Sequence, residues 1–143
     1  MAIIKPMIRS NICINSHPLG CAQDTRNQIA YAVAQKAKRG RKTAAEGGYA
    51  PKNVLVLGCS TGYGLASRIS AAFEYGADTI GVSFEKEATE TKAGTPGFYN
   101  NMTFDKEAQK AGLKSKTFNM DAFSDKCRQA VIDEAKKQGI KFD

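Results

Sequence analysis

Residues 53–64 read NVLVLGCSTGYG, and their pattern of apolar residues and glycines is the strongest indication of the fold class in the sequence. Its first part, Asn53–Leu57, is an unbroken run rich in apolar and β-branched residues, which is typical of a strand buried on both faces of a parallel sheet. Glycines follow at positions 58, 62 and 64, and apolar residues with helical spacing come next. The stretch therefore predicts a strand, a glycine-rich turn and a helix in succession.

The alternation of strands and helices continues to residue 143. We predict further strands at Thr79–Phe84 and Ser115–Met120, and the entry to a fourth at Ile140–Asp143. Helices are expected over 62–75, 104–111 and 124–138, and a long loop over 87–102. Strands that alternate with helices imply right-handed crossovers and a parallel sheet. The fold class is therefore α/β, with the first three strands and the start of the fourth of a Rossmann-like doubly wound sheet.

Residues 1–52 differ from this pattern. Apolar residues interrupted by Arg9-Ser10-Asn11 predict a short hairpin within 3–15, and a turn follows over 16–20. A helix is expected over 24–38, with Asp24 as its N-cap. We therefore divide the chain into an N-terminal hairpin and basic helix (1–52) and the first half of a dinucleotide-binding domain (53–143).

Composition and charge narrow the class of protein. The chain has 143 residues, of which 42% are hydrophobic and 24% charged, as in ordinary globular domains. Its net charge of +7 comes from residues 1–52, especially the segment Lys36–Lys42. Such a run can attract nucleic acid, but no nucleic-acid motif accompanies it, and a solvated helix end is the simpler interpretation. No secretory signal or apolar run of about 20 residues is present, so we expect a cytoplasmic protein without membrane contact.

The cysteines raise two possibilities that we weigh as minor. Cys13, His17 and Cys21 have a spacing that fits no standard zinc site, so we predict no metal. Cys59 precedes a predicted helix, whose N-terminus would lower its thiol pKa. Since His17 is the only histidine and nothing places it near Cys59, a small residue in a phosphate turn is the simpler interpretation.

The glycine-rich turn is the main candidate site. A phosphate pair must approach backbone N–H groups at a helix N-terminus, and side chains would block it, so glycines are required. The spacing G-x-x-x-G-x-G is similar to that of short-chain dehydrogenases and lacks the G-K-[ST] of a Walker loop. Glu85 stands 21 residues after Gly64, where an acidic residue would hold ribose hydroxyls and disfavour a 2′-phosphate. The alternative is that these glycines only permit tight packing and that Glu85 is a surface residue.

Longer stretches carry a family resemblance. They are IIKPMIRSNICINSHPLGC (3–21), PKNVLVLGCSTGYGLASRI (51–69), ADTIGVSFEKEATETKAGTPGFYNN (77–101) and DAFSD (121–125). The chain resembles the N-terminal part of the trans-2-enoyl-CoA reductase and enoyl-acyl-carrier-protein reductase family, relatives of short-chain dehydrogenases. The resemblance implies NADH as cofactor and a trans-2-enoyl thioester as substrate. It also implies cofactor contacts from Gly58, Cys59, Ser60, Thr61, Gly62 and Tyr63 to pyrophosphate, from Phe84 and Glu85 to adenosine, and from Asp121 and Ala122 to adenine.

The catalytic motif of that family is missing from this sequence. The family uses a Tyr-x8-Lys pair, but the residues nine positions after the five tyrosines are Gly40, Gly58, Ala72, Phe84 and Ala108. We therefore expect a fragment that is inactive alone and whose enoyl thioester would bind through the missing half. The alternative is a stand-alone nucleotide-binding or regulatory module that needs a partner chain. An open sheet edge beside Asn53–Leu57 would also permit self-association.

Overall fold

A computed structural model describes residues 7–10, 12–14, 16–90 and 92–143. It begins with an antiparallel hairpin of strands β1 (Met7–Arg9) and β2 (Ile12–Ile14), in which Met7 pairs with Ile14. Ser10, between them, has a φ of 57°, the left-handed conformation of a tight turn. The predicted hairpin is confirmed over these strands, and the rest of 3–15 lies outside the described residues.

Helix α1 (Pro18–Arg39) begins earlier than the sequence predicts. Its N-cap is His17, whose Nδ1 accepts a hydrogen bond from the Gly20 backbone N–H at 3.1 Å. The predicted turn over 16–20 and the N-cap at Asp24 are therefore wrong, since Asp24 lies inside the helix. Pro18 is compatible with this start because the first turn needs no intrahelical N–H donor. Gly40, with a φ of 59°, ends the helix.

The central sheet has three parallel strands. They are β3 (Asn53–Leu57), β4 (Asp78–Ser83) and β5 (Ser115–Asn119), in the order β3-β4-β5. Leu55 pairs with Ile80, and Gly81 pairs with Thr117. This order follows the first half of a doubly wound sheet, as predicted.

Three helices complete the fold. Helix α2 (Gly62–Ile69) continues into a π-helical turn (Ser70–Glu74), α3 covers Pro96–Lys110, and α4 covers Asp125–Gln138. The regular helix predicted over 62–75 is thus α-helical only in its first part. The long loop predicted over 87–102 is wrong at its C-terminal end, because α3 starts at Pro96 and not at Phe104. The helix predicted over 124–138 is confirmed as α4, and Ser124 is its N-cap, since its side chain accepts from the Cys127 N–H.

The chain returns to β3 after α4 without forming a strand. Among the described residues 140–143, no strand is present. The Asp143 N–H nevertheless donates to the carbonyl of Asn53 at 3.0 Å, and Asp143 Oδ2 accepts from the N–H groups of Lys52 and Asn53. These bonds place this segment beside the first strand of the sheet, where the doubly wound order expects a fourth.

Two apolar clusters form the core, and the first of them includes side chains of β4 that lie on one face of the sheet because they are two residues apart. On one face, Ile80 and Val82 pack with Cys127 and Val131 of α4. The other cluster contains Ile29, Ala32, Leu65, Ile69, Ala72, Phe104 and Ala108, from α1, α2, the π-turn and α3. Helix α1 therefore shares a core with the second part of the chain, and the division at residue 52 stays a prediction.

Acidic groups partner two of the basic side chains in the segment Lys36–Lys42. Lys36 Nζ lies 3.5 Å from Glu46 Oε2, and Arg41 Nε lies 3.3 Å from Glu74 Oε2. The Arg41 guanidinium also stacks over the ring of Tyr75, 4.8 Å from its centroid. These contacts tie the segment to the following loop and to the π-turn. Among the described helices, none has the length and apolarity to cross a bilayer.

Candidate functional site

The predicted site residues meet at one edge of the sheet. The glycine-rich loop follows β3, Phe84 and Glu85 follow β4, and Asp121 and Ala122 come shortly after β5. Because the three strands are parallel, their carboxyl ends lie at the same edge, where open α/β sheets bind ligands. The structure therefore brings every candidate residue to this edge.

The loop after β3 is folded tightly upon itself. Gly58 and Gly62 have φ values of 76° and 53°, which favour glycine. A Cβ on Gly64 would lie 1.9 Å from the Gly58 carbonyl oxygen, so only glycine permits this approach. The N–H groups of Gly58 and Cys59 both donate to the carbonyl of Val82, at 2.8 and 3.1 Å. These bonds anchor the loop to the neighbouring strand.

The start of α2 is suited to an anion. The N-cap residue Thr61 makes no side-chain capping bond in the described part of the chain. The first N–H groups of a helix have no intrahelical acceptors and carry its positive dipole end. Apart from the chain neighbours of each glycine and the backbone of α2, no atom of the described residues lies within 4 Å of a Cβ built on Gly58 or Gly62, so space is left beside the loop. The loop and helix start therefore fit the phosphates of a dinucleotide.

Cys59 points into the protein. It is fully buried, and its Sγ donates to Asn101 Oδ1 at 3.5 Å and accepts from Arg68 Nη1 at 3.7 Å. Burial raises the pKa of the Cys59 thiol above its usual 9.0, and the charge of Arg68 opposes this only in part. A protonated, enclosed thiol is a poor nucleophile. Cys59 therefore acts here as a small residue that packs the loop.

Glu85 is held from several sides. The Ser60 hydroxyl donates to Glu85 Oε1 at 2.5 Å, and the Thr95 hydroxyl donates to Oε2. The Glu85 N–H donates to Asn119 Oδ1 at 2.7 Å, and Asn119 Nδ2 donates back to the Glu85 carbonyl at 3.0 Å. Glu85 is thus half-buried and directed toward the glycine-rich loop.

Exposed apolar side chains surround this edge. Tyr63 and Phe84, both predicted cofactor contacts, are 94% and 80% exposed. Leu57 and Phe123 are also exposed, although the sequence did not single them out. Asp121 is exposed, and its Oδ1 accepts from the Phe123 N–H at 2.9 Å in the turn before α4. The edge therefore offers flat apolar surfaces and polar groups together.

Helix α3 supplies supporting residues that the sequence analysis missed. Asn100 Nδ2 donates to the Ser60 carbonyl at 3.0 Å, and Asn101 Nδ2 donates to Ser83 Oγ at 2.8 Å. These bonds connect the glycine-rich loop and the end of β4 to one helix. The pair Thr95-Pro96 is the signal that would have found this helix, because proline is favoured at the first helical position.

Two hollows lie near the sheet. A cavity of about 180 Å³ lies between α3 and the ends of β4 and β5, and Glu85, Asn101 and Asn119 contribute to its wall. A larger, open hollow of about 430 Å³ lies at the opposite end of β5, beside Leu113 and Gln138. Only the first adjoins the candidate site.

The fold and this edge define a dinucleotide-binding α/β domain. Residues 3–90 match the family model described as the NAD(P)H binding domain of trans-2-enoyl-CoA reductase, and residues 92–143 match the one described as the trans-2-enoyl-CoA reductase catalytic region. The chain therefore belongs to the trans-2-enoyl-CoA reductase family, and the resemblance stated from the sequence is confirmed.

Named relatives agree with this assignment. A trans-2-enoyl-CoA reductase (NADH) of Treponema denticola is 60% identical over 99% of this chain and 34% of its own length. An enoyl-[acyl-carrier-protein] reductase (NADH) of Edwardsiella ictaluri is 56% identical over 94% of this chain and 32% of its own. The chain thus spans about a third of the length of the curated relatives it matches.

Solved structures share the fold. The Treponema denticola trans-2-enoyl-CoA reductase in complex with NAD superimposes with a TM-score of 0.88 at 59% identity, over 99% of this chain and 35% of that one. The Clostridium acetobutulicum trans-2-enoyl-CoA reductase in complex with NADH superimposes with a TM-score of 0.81 at 38% identity, over 99% of this chain and 33% of that one. Both neighbours carry the class of cofactor expected from the sequence.

Proposed function

We propose that this chain binds NADH and forms the dinucleotide-binding part of a reductase for trans-2-enoyl thioesters of CoA or acyl carrier protein. The observation that carries the proposal is the start of α2, which has no side-chain capping bond among the described residues. It follows directly on the tight turn that begins at Gly58, and Ser60 of this turn contacts Glu85. In this assignment the loop holds the pyrophosphate, Phe84 and Glu85 contact adenosine, and Asp121 and Ala122 contact adenine.

The chemistry of the edge favours NADH over NADPH. Backbone N–H groups at a helix N-terminus attract the pyrophosphate. The Glu85 carboxylate accepts hydrogen bonds from ribose hydroxyls and repels a 2′-phosphate. The exposed ring of Phe84 offers an apolar surface to the adenosine. Names of the relatives, which specify NADH, support the same choice.

The chain by itself is proposed to be inactive toward the thioester. When bound, the nicotinamide supplies the hydride, and the protein binds and orients it. The resemblance assigns the proton-donating tyrosine and its lysine to a Tyr-x8-Lys motif, which this sequence lacks. The residues described here thus bind and position the cofactor, and the reduction belongs to the longer proteins of the family.

Titration by two-dimensional amide NMR tests cofactor binding. Addition of NADH is expected to shift the signals of Gly58–Gly64 and Glu85 in a saturable way, and NADPH to shift them at higher concentration. Nicotinamide mononucleotide, which lacks the adenosine, serves as the chemical control and is expected to leave Glu85 unchanged. A dispersed spectrum that NADH does not alter would contradict the proposal.

An absorbance assay tests the inactivity. The chain is mixed with NADH and crotonyl-CoA, and the NADH absorbance is followed over time, where no decrease above the protein-free rate is expected. A steady, crotonyl-CoA-dependent decrease would show that the residues of this chain suffice for the reaction.

The outer edge of β3 is a proposed site of self-association. Among the described residues, Asp143 makes hydrogen bonds with the backbone of Lys52 and Asn53 at the start of that edge, and none is present to the outer edge of 54–57. Unpaired strand groups can pair with another chain. Sizing over a range of concentrations is expected to reveal dimers or larger species, and a monomer at every concentration would refute this.

A cytoplasmic location also remains our proposal, supported by the free thiols of Cys21, Cys59 and Cys127.

A further inference from the structure

Both oxygens of the Glu85 carboxylate are held by hydroxyl groups of other elements. Ser60 reaches Oε1 from the glycine-rich loop, and Thr95 reaches Oε2 from the N-cap of α3. We propose that Ser60 and Thr95 are positioning residues that set the choice between NADH and NADPH by fixing this carboxylate. The inference rests on the proposed function, namely that the chain binds NADH.

The hydroxyl of Thr95 has its orientation imposed by the backbone. Its oxygen accepts from the Lys86 N–H at 3.1 Å, while the Thr95 N–H donates to the Lys86 carbonyl at 3.0 Å. These two bonds connect the segment after β4 to the start of α3. The Thr95 hydroxyl proton then has two acceptors, the Glu85 carboxylate and, at 3.3 Å, the Lys86 carbonyl oxygen, and the charged carboxylate is the closer and stronger of the two.

The space around the carboxylate is closed on the side of α3. A Cβ on Gly97 would lie 2.4 Å from Glu85 Oε1 and 2.6 Å from the Cβ of Ser60. Glycine at this position is therefore required for Glu85 and Ser60 to meet. The backbone of Glu85 is fixed as well, through its two hydrogen bonds with the Asn119 amide.

A carboxylate fixed in this way can discriminate between the two cofactors. Each carboxylate oxygen accepts more than one hydrogen bond, so both retain capacity for ribose hydroxyls. A mobile carboxylate would turn away from a 2′-phosphate and lose most of its repulsion, whereas one held at both oxygens cannot. Removal of either hydroxyl is therefore expected to weaken discrimination while the negative charge of Glu85 remains.

The same hydroxyls would act in the opposite sense without the carboxylate. In a Glu85→Ala protein, the Ser60 hydroxyl loses its acceptor and the Thr95 hydroxyl keeps only the Lys86 carbonyl at 3.3 Å, so both hydroxyls can donate to a ligand. Hydroxyl donors of this kind stabilise a phosphate. The effect of Ser60→Ala on the choice of cofactor should therefore change sign when Glu85 is absent, which a merely structural role of Ser60 does not produce.

Calorimetric titration with two probes tests this. Adenosine diphosphate ribose and its 2′-phosphorylated form lack nicotinamide and differ only at the 2′ position. We expect Ser60→Ala and Thr95→Val each to shift the affinity ratio about fivefold toward the phosphorylated probe, since hydrogen bonds to charged groups are among the stronger ones. In the Glu85→Ala background, Ser60→Ala should instead shift the ratio away from that probe.

Conservative and distant variants provide the controls. Thr95→Ser keeps the hydroxyl and should keep the wild-type ratio. Thr103→Val removes a hydroxyl that donates within α3 to the Tyr99 carbonyl, and Ser67→Ala changes an exposed residue of α2, so neither should move the ratio. Amide spectra of all variants verify that they are folded.

The outcomes separate this inference from the proposed function. Wild-type binding of adenosine diphosphate ribose, with unchanged ratios in Ser60→Ala and Thr95→Val, would overturn the inference alone. An equal effect of Ser60→Ala in the wild-type protein and in the Glu85→Ala protein would also overturn it. If the wild-type chain binds neither probe nor NADH, the proposed function fails and the inference fails with it.

Discussion

The guanidinium of Arg68 lies directly against the backbone of Gly81. A Cβ on Gly81 would be 2.6 Å from Cζ and 2.6 Å from Nη1 of the arginine. Arg68 is fully buried and donates to side chains of the neighbouring elements, namely Thr79, Asp105, Ser115 and Thr117. Burial lowers the pKa of Arg68 below its usual value, and the charge of Asp105 opposes this shift. A glycine in the central strand therefore makes room for the polar centre that joins α2, α3 and β5.

Gly81→Ala is expected to destabilise the fold. The added methyl group must displace the guanidinium, the sheet or the Cys59 sulfur, which would also lie 2.6 Å from it, and overpacking of this kind costs about 1–3 kcal/mol. Chemical denaturation of the two proteins measures the difference. Gly20→Ala is the matched control, because its Cβ would lie at an ordinary 3.6 Å from His17 within a helix. A Gly81→Ala protein as stable as the wild type would contradict this account of Arg68.

Gly64→Ala and Gly62→Val should separate packing of the loop from binding. At Gly64 a Cβ would overlap the Gly58 carbonyl, so we expect lower stability and loss of NADH binding together.

At Gly62 an added Cβ would meet no side chain or distant backbone atom of the described residues, but the φ of 53° adds strain of about 1–2 kcal/mol. We expect Gly62→Val to remain folded and to lose NADH binding, because its side chain blocks the phosphate. Calorimetry and denaturation check both, and unchanged NADH affinity in Gly62→Val would mean that the loop is only structural.

The sequence predicted the edge of the sheet better than the helices behind it. The run Asn53–Leu57 and the glycines after it predicted a strand, a tight turn and the start of a helix, and the structure has all three. Helix α3 was cut short because its buried face carries Asn100, Asn101 and Thr103, which hide the apolar periodicity of an amphipathic helix. The start of α1 was missed because a histidine side chain takes the place of the usual capping residue.

Contacts between distant residues also could not be predicted. The sequence predicted a role for Glu85 from its spacing to Gly64, but the partners of Glu85, Ser60 and Thr95, come from two other elements. Their contact depends on the start of α3 and on the close approach at Gly97. Neither feature has a local signal that names Glu85 as the partner.

Asn100→Leu should loosen the glycine-rich loop from α3. The substitution removes the donor to the Ser60 carbonyl and the acceptor of the Thr25 hydroxyl, both in buried surroundings. A buried group left without its partner costs about 1–3 kcal/mol, so lower stability and weaker NADH binding are both expected. Asn27→Leu, on the exposed face of α1, is the control and should change neither. Wild-type NADH affinity in a folded Asn100→Leu protein would show that the loop does not depend on α3.

Cys59 should resist alkylation until the protein unfolds. Burial raises the pKa of both the Cys59 and the Cys21 thiols above 9.0, so at a mildly alkaline pH of about 8 their exposure, and not their ionisation, sets the order of reaction. In the folded chain we expect iodoacetamide to modify the half-buried Cys21 before Cys59 and Cys127, and urea should remove the difference. Mass spectrometry of timed samples measures this order, and labelling of Cys59 as fast as Cys21 would contradict it.

The same raised pKa of Cys59 determines how stability depends on pH. Below pH 9.0 the thiol is protonated in both the folded and the unfolded chain, so the contribution of Cys59 to stability is fully present. Above 9.0 only the unfolded chain loses the proton, and this contribution is lost as the pH rises toward the higher folded value. Denaturation at about pH 8 and about pH 10 should therefore reveal a smaller loss of stability in Cys59→Ala than in the wild type. Equal losses in the two proteins would mean that the thiol ionises as readily in the fold as in the unfolded chain, which its burial and the hydrogen bond that it donates to Asn101 Oδ1 argue against.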